Sequence, residues 1–536
     1  MTIKKPASLT LAMAFLCGYA HAQAPTLQTA VHNAVQRAYA ASVRIFPYDS
    51  VTNMQTGAPF SGVVVTADGF ILTAAHVCEP GHIYKVNFPN GTSVNAKGCA
   101  QIALDHIAPD VATMRILPAG QYPFAAMGRT DAVKTGEPCI SIACPESLFN
   151  PLPTLRFGRI GALQNEKGFM VSTCIMEPGD SGGPLFDLMG RVIGLHSAVD
   201  TIEAHNFEVP VDLYRRYWTA LQHDTTYRAY PTTMDAVPAE DKADSIRYFT
   251  SLKASAPALP RALVSLYSNK SGRAAGTLFG GRLIVSKSSQ VGDTVWLLKG
   301  KKRMPVHVIR RDKANDLVLL EATGTQEGGL PLLPTAALPE PGTFLWTPVA
   351  DGKPLQSIMG AAPYEVFKFF SAGSLGAMCG RNLPLKFTMV KPGSVADKAG
   401  LRAGDVLREI NGAPVKEAMD FGSQLMGCWP GDTVHFVLQR GDSSFATSVV
   451  LAVRTFDVPN HASEHVAGGF SKIRDGFKDK VFSHDAVVTP ENCGGPVFGP
   501  DGVFCGINIA RHSRASVLVM PASVIYTFIG DAAVTR

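Results

Sequence analysis

Three separated segments hold the side-chain types that can activate a hydroxyl. Gly179-Asp180-Ser181-Gly182-Gly183-Pro184 sets a serine among glycines. A serine hydroxyl is a weak nucleophile until a neighbouring base takes its proton. Glycines beside it let the backbone turn sharply, so that the N–H groups of Gly179 and Ser181 can face a developing oxyanion. Thr73-Ala74-Ala75-His76-Val77 follows an apolar run, and its small residues allow close packing that aims His76 at a cleft. Pro109-Asp110-Val111-Ala112 opens a strand with a carboxylate that can accept from the far imidazole nitrogen. Asp105 competes with Asp110 for that role. The order His76, Asp110, Ser181, at intervals of 34 and 71 residues, predicts acyl transfer by a nucleophile, a base and an orienting acid. No Cys/His grouping has zinc-site spacing, and neither a metal nor an organic cofactor is implied.

The elements that must position these groups read as strands. Ser61-Gly62-Val63-Val64-Val65 leads through Ala67-Asp68-Gly69 into Phe70-Ile71-Leu72-Thr73, and similar short apolar runs continue to Pro210. Regular short strands bounded by turn residues predict antiparallel barrels or sandwiches. The composition agrees: 536 residues, 46% hydrophobic and 17% charged, with 50 Gly and 37 Pro, exclude a disordered chain and a coiled coil. A net charge of +5, with no basic stripe, argues against a nucleic-acid partner. Lys4 and Lys5, the apolar run Leu9 to Cys17 and Ala20-His21-Ala22 predict a secretory signal over 1–22. Export allows disulfides, with Cys78–Cys99 or Cys139–Cys144 as conceivable pairs, but the remaining nine cysteines do not make a disulfide scaffold.

Taken together, TAAHV, PDVA and GDSGGPL in this order resemble the chymotrypsin-fold serine proteases. Phe70 to His76 and Asn206-Phe207-Glu208-Val209-Pro210 resemble the HtrA/Deg branch. That resemblance implies two antiparallel β-barrels with His76 as base, Asp110 as its orienter and Ser181 as nucleophile in the cleft between them. It also implies that Ser197 supports Asp110 and that Ala198 and Val199 pair with substrate backbone. The position six before the nucleophile is Ile175, so an apolar pocket and cleavage after small or medium aliphatic residues are expected. His196 reads as structural.

The pattern then returns in altered form. Gly281 to Ser288 echoes the stretch ending in His76, Asn315-Asp316-Leu317 echoes the stretch around Asp110, and Glu491-Asn492-Cys493-Gly494-Gly495-Pro496 echoes the nucleophile segment. The best alignment sets Ser288 at the base position, so the expected second site is Ser288, Asp316 and Cys493, an inert scaffold. His461, His465, His484 and His512 are the histidines nearest in sequence that could rescue it. The interval from Asp316 to Cys493 exceeds its counterpart by 106 residues. Within it, Lys391 to Leu407 and Glu409-Ile410-Asn411-Gly412 resemble a PDZ domain of the HtrA type. That likeness implies a carboxylate loop at Ser374, Leu375, Gly376 and Ala377 that holds peptide C-termini.

The expected architecture is mainly β: a signal peptide (1–22), a protease domain (23–222), a linker (223–258) and a degenerate protease-like domain (259–370 and 455–536) interrupted by a PDZ domain (371–454). The expected function is a periplasmic or secreted, ATP-independent serine endopeptidase acting on unfolded or damaged proteins. A PDZ-based chaperone or scaffold with little proteolysis and a narrow-specificity processing protease are the alternatives. HtrA proteases often form trimers or multiples of trimers, and a homo-oligomer stays open for this chain.

Overall fold

The computed structural model describes residues 26–533 except 50, 53, 105–107, 149, 237–253, 333–337, 381, 418, 455–465 and 467. The expected signal segment, Asp105, His461 and His465 lie outside the described residues. Strands Ser42–Asp49, Phe60–Val64, Phe70–Ala74, Ile83–Asn87, Ser93–Ile102 and Val111–Ile116 form an antiparallel sheet that closes where the last two pair. Strands Pro138–Ala143, Thr154–Ala162, Met170–Ser172, Pro184–Phe186, Val192–Val199 and Asn206–Pro210 close a second barrel. Strand periodicity explains the pattern: Val43 and Ile45 are buried while Arg44 between them is half-buried. Gly69, at φ +95°, makes the hairpin before Phe70–Ala74; a Cβ there would sit 2.9 Å from the Ile116 side chain. That turn fixes the strand whose end carries His76.

A second barrel pair follows. Strands Leu263–Ser268, Gly272–Phe279, Leu283–Lys287, Val295–Lys299, Lys302–Asp312 and Leu317–Ala322 close the third barrel. Phe344–Thr347, Leu355–Tyr364, Val481–His484, Pro496–Phe498, Phe504–Arg511 and Val517–Pro521 close the fourth. A smaller body is inserted between Leu355–Tyr364 and Val481–His484. It has the sheet Val406–Ile410, Ala413–Pro414, Thr433–Arg440 and Ser443–Val450, with helices Val395–Lys398 and Asp420–Met426. In the second barrel the corresponding connection, from Thr154–Ala162 to Met170–Ser172, is only the hairpin 163–169. The surplus residues between Asp316 and Cys493 therefore enter at one hairpin.

The interval 223–258, expected as a linker, begins differently. Thr225–Tyr227 adds as a parallel strand to Ser93–Ile102, so this part docks on the first barrel. The two barrel pairs also touch. Helix Leu27–Ala38 buries Leu27, Ala30, Val31, Ala34 and Ala38 on one face, a helical period. Its Gln28 donates to the Gly342 carbonyl at 2.8 Å and accepts from the Phe344 N–H at 2.8 Å. Asp485 accepts from the N–H groups of Phe157 at 2.7 Å and Ile358 at 2.8 Å, one from each pair. Phe157 and Phe344 meet edge to face at 5.0 Å.

Candidate active site

His76 sits on the short turn Ala75–Val77 that ends strand Phe70–Ala74. The Ala75 N–H donates to the Asp110 carbonyl at 3.1 Å, which draws the two loops together. Asp110 has φ +56°, in the left-handed region that short polar side chains enter more readily than most. Its carboxylate is thereby turned back over the histidine. Oδ1 accepts from the His76 backbone N–H at 2.9 Å, and Oδ2 lies 2.8 Å from Nδ1. The Ser197 hydroxyl donates to the same Oδ2. A carboxylate can only accept here, so the proton belongs on Nδ1 and Nε2 is the acceptor, 2.9 Å from Ser181 Oγ. Asp110 is buried, while the ring of His76 is open to the cleft.

The nucleophile loop is fixed from below. Gly179 has φ +96°, and a Cβ on it would lie 2.5 Å from the Glu146 nitrogen and 2.7 Å from the Cys144 carbonyl. Ser61 Oγ donates to the Gly179 carbonyl at 2.8 Å. Among the described residues, neither the Gly179 nor the Ser181 N–H donates to another group, which leaves both available to an oxyanion. Asp180 is buried and paired with buried Arg156 at 2.7 Å. It also accepts from the Glu177 N–H at 2.9 Å. Burial pushes the Asp180 carboxyl up to about 6 despite the guanidinium.

The cleft beside Ser181 is lined by Met176, Glu177, Pro178, His196, Ser197, Ala198 and Val199, among others. Met176 lines this cleft and Ile175 does not; both side chains are buried. His196 is fully buried with Nε2 at 2.7 Å from Ser141 Oγ, and burial pulls it down to about 3, so it is a neutral ring. The pairing of Val192–Val199 with Pro184–Phe186 ends at Leu195, so the edge at Ser197 to Val199 faces the cleft.

The second barrel pair repeats this framework in a register one residue away from the expected one. The Ser288 N–H donates to the Asp316 carbonyl at 2.7 Å, the bond that Ala75 makes to Asp110. The Ser289 N–H donates to Asp316 Oδ1 at 2.6 Å and its hydroxyl to Oδ2 at 2.7 Å, as His76 does. Ser289, not Ser288, therefore stands at the base position. Asp316 has φ +55°, matching Asp110. Gly494 donates to the Asn508 carbonyl at 2.7 Å as Gly182 donates to that of His196 at 2.7 Å, which sets Cys493 opposite Ser181.

Among the described residues, no histidine stands at the base position of this second site. Asp316 is engaged by Ser289 and by buried Lys287, whose Nζ lies 2.5 Å away. His484 bonds Asn508 and His512 bonds two carbonyls. Cys493 is buried, and burial pushes its thiol up. Its N–H donates to Pro490 at 3.1 Å within the turn Pro490–Asn492, where Glu491 replaces the glycine. The counterpart of the Ser181 N–H is thus already used.

In the inserted body, Gly373–Ser374 pairs with Ala452–Val453, Leu375 is buried and Gly376 has φ +73°. The N–H groups of Leu375 and Gly376 have no partner among the described residues. Strand Ala377–Cys379 follows the loop and pairs with Phe387–Val390. All nine described cysteines are free thiols, and Cys139 approaches Cys174 at 3.9 Å rather than Cys144.

Arg156, Glu177, Ser61 and Ser289 escaped the sequence reading. Counting six residues from Leu283, as from Phe70 to His76, would have reached Ser289. Nothing in the sequence marks Arg156 as the partner of Asp180, because their contact is made by barrel closure.

Residues 60–195 match the family described as trypsin-like peptidase domain, and residues 381–451 match that described as PDZ domain. The chain is 32% identical over 164 residues to serine protease HTRA1 of Xenopus laevis, covering 29% of this chain and 35% of that one. It is 30% identical over 159 residues to the putative serine protease HhoB of Synechocystis, covering 28% and 37%. It is 25% identical over 405 residues to a probable periplasmic serine endoprotease DegP-like of Halomonas elongata, covering 73% and 78%. The chain thus spans about a third of the length of the first two relatives. Motifs, barrels and matched domains agree that the chain carries a trypsin-like peptidase domain and a PDZ domain, and the relatives it resembles are serine proteases of the HtrA type.

Proposed function

We propose that this protein is an exported, ATP-independent serine endopeptidase that degrades unfolded or damaged proteins. The observation that carries this reading is His76 Nε2 at 2.9 Å from Ser181 Oγ, with Nδ1 held by Asp110. In the proposed mechanism, His76 takes the Ser181 proton as Oγ attacks the scissile carbonyl. The N–H groups of Gly179 and Ser181 receive the oxyanion. His76 then protonates the leaving amine, and a water activated by the same ring hydrolyses the acyl-enzyme. Asp110 and Ser197 keep the ring oriented throughout.

The edge at Ser197, Ala198 and Val199 would add substrate backbone as a strand. Met176 on the wall and a neutral His196 offer no countercharge, and the lining carboxylates of Glu177 and Asp180 are already engaged by Ser147, the Ala515 N–H and Arg156, so a charged side chain would find no free partner. This supports cleavage after small or medium aliphatic residues. The free N–H groups of Leu375 and Gly376 support capture of peptide C-termini by the PDZ domain. The name of the Halomonas relative and the basic-then-apolar first 22 residues support a periplasmic or secreted location.

The test is cleavage of unfolded casein by wild type and Ser181→Ala, with and without peptides ending in a free carboxylate. Wild-type cleavage that Ser181→Ala abolishes supports the reading. Cleavage that survives in Ser181→Ala, or no wild-type cleavage under any of these conditions, contradicts it.

A further inference from the structure

The two barrel pairs meet through corresponding elements. Strand Thr154–Ala162 of the second barrel lies against Leu355–Tyr364, its counterpart in the fourth. Hairpin 200–205, between Val192–Val199 and Asn206–Pro210, lies against hairpin 512–516, between Phe504–Arg511 and Val517–Pro521. The chain therefore forms within itself the kind of contact a two-fold dimer makes between equal surfaces.

The hairpin of the second pair reaches three loops of the first. Arg511 Nη2 donates to Glu203 Oε1 at 2.7 Å, and Arg514 donates to the Ile202 carbonyl at 3.1 Å. The Ala515 N–H donates to Glu177 Oε2 at 3.3 Å. His512 Nε2 lies 2.9 Å from the Ser147 carbonyl. Arg511, His512 and Arg514 are at most 1% exposed, and the carboxylate that faces Arg511 belongs to the other barrel pair. A buried guanidinium needs such a partner. This makes the contact specific to that loop and not a chance surface pair.

Each loop touched connects to the cleft through one or two hydrogen bonds. Glu177 lines the cleft and donates its N–H to Asp180, the residue before Ser181. The Glu203 carbonyl accepts from Asn206 Nδ2 at 3.0 Å, and Asn206 Oδ1 accepts from the Met176 N–H at 2.9 Å. Met176 forms the cleft wall. Ser147 donates to Glu177 as well. Among its described residues the second unit has no histidine at the base position, yet its hairpin packs against the loops that shape the first site.

We propose that the degenerate barrel pair serves as a built-in positioning partner: Arg511 and the hairpin 512–516 hold the Glu177 and Glu203 loops so that Ser181 and its oxyanion donors stand in reactive geometry. This rests on the proposed endopeptidase reading. Arg511 and His512 are positioning residues; they do not approach the reacting atoms.

The test compares full-length wild type with Arg511→Met, Arg511→Lys and the double variant Arg511→Met/Glu203→Leu, which removes both charges together. Three quantities are read: thermal midpoint, fluorophosphonate labelling rate at Ser181, and hydrogen exchange over 174–182 and 200–206. The expected result is faster exchange in both segments and labelling slowed by roughly ten- to a hundredfold in Arg511→Met and in the double variant. Arg511→Lys should recover part of the rate. The double variant should stay slow even where its midpoint equals that of wild type. Wild-type exchange and labelling in a folded double variant would overturn the proposal. Exchange is read without turnover, so a wild type that never labels defeats the endopeptidase reading, while unchanged exchange defeats the hairpin's role.

Discussion

Asp110 does three things at once: it accepts from the backbone N–H of the histidine it orients, from that histidine's ring, and from Ser197. Asn in its place keeps the shape but offers a donor to one of these groups and favours the wrong imidazole tautomer. Asp110→Asn should therefore lower kcat by about 10⁴-fold, as in the general triad scheme, with little change in KM; steady-state kinetics on an unfolded substrate checks this. The second residue-scale feature is the Arg156–Asp180 pair, 2.7 Å apart with both partners 1% exposed. Removing one partner leaves a buried uncompensated charge. Arg156→Met should cost about 3–5 kcal/mol of stability, and Arg156→Met/Asp180→Asn should recover much of it, as read by denaturant unfolding. The segments that bring His76, Asp110 and Ser181 together were legible in sequence because each motif is local. Arg156 was not, because strand Thr154–Ala162 reaches Asp180 only in the closed barrel.

At the scale of elements, the nucleophile turn and its degenerate copy differ at one backbone position. Gly179 takes a left-handed conformation against the Glu146 nitrogen and the Cys144 carbonyl. Glu491 stands in its place and the chain instead forms the turn Pro490–Asn492, which occupies the Cys493 N–H. Gly179→Ala should therefore reduce Ser181 labelling by about 10²–10³-fold, the effect of losing an oxyanion donor. Because the added Cβ meets backbone atoms, its cost should be at least about 1–3 kcal/mol, so labelling is compared with circular dichroism and thermal midpoint at a temperature where the variant is folded. The short strands of the first two barrels could be anticipated from apolar runs bounded by turn residues, but not their order. The register at the second base position could not be settled by similarity alone. Lys287 and Ser288 replace two alanines there, and the paired bonds of Asp316 agree with the count from the strand start in identifying Ser289.

At the scale of the whole molecule, one intact and one degenerate barrel pair share a buried boundary, and the PDZ domain is inserted at a single hairpin of the degenerate pair and contacts the third barrel through Lys313 and Asp432. Repetition and insertion were visible as echoes and excess length; the boundary was not, because it joins residues hundreds of positions apart. Asp485 lies on that boundary between Phe157 and Ile358, and burial pushes its carboxyl up to about 6. A carboxyl raised above its unfolded value of about 3.9 takes up a proton more readily in the fold. Its unfavourable contribution is fully present above about pH 6 and is relieved as pH falls toward 4. Wild type should therefore gain thermal stability relative to Asp485→Asn as pH falls from 8 to 5. A midpoint difference that moves the other way across that range would contradict the assignment. The central claim is that chemistry resides in the first barrel pair alone. Peptide mapping after fluorophosphonate treatment tests it most directly. The expected result is a single adduct on Ser181 that is unchanged in Cys493→Ala. An adduct on any residue of the second pair, or loss of labelling in Cys493→Ala while Ser181 is intact, would contradict the account.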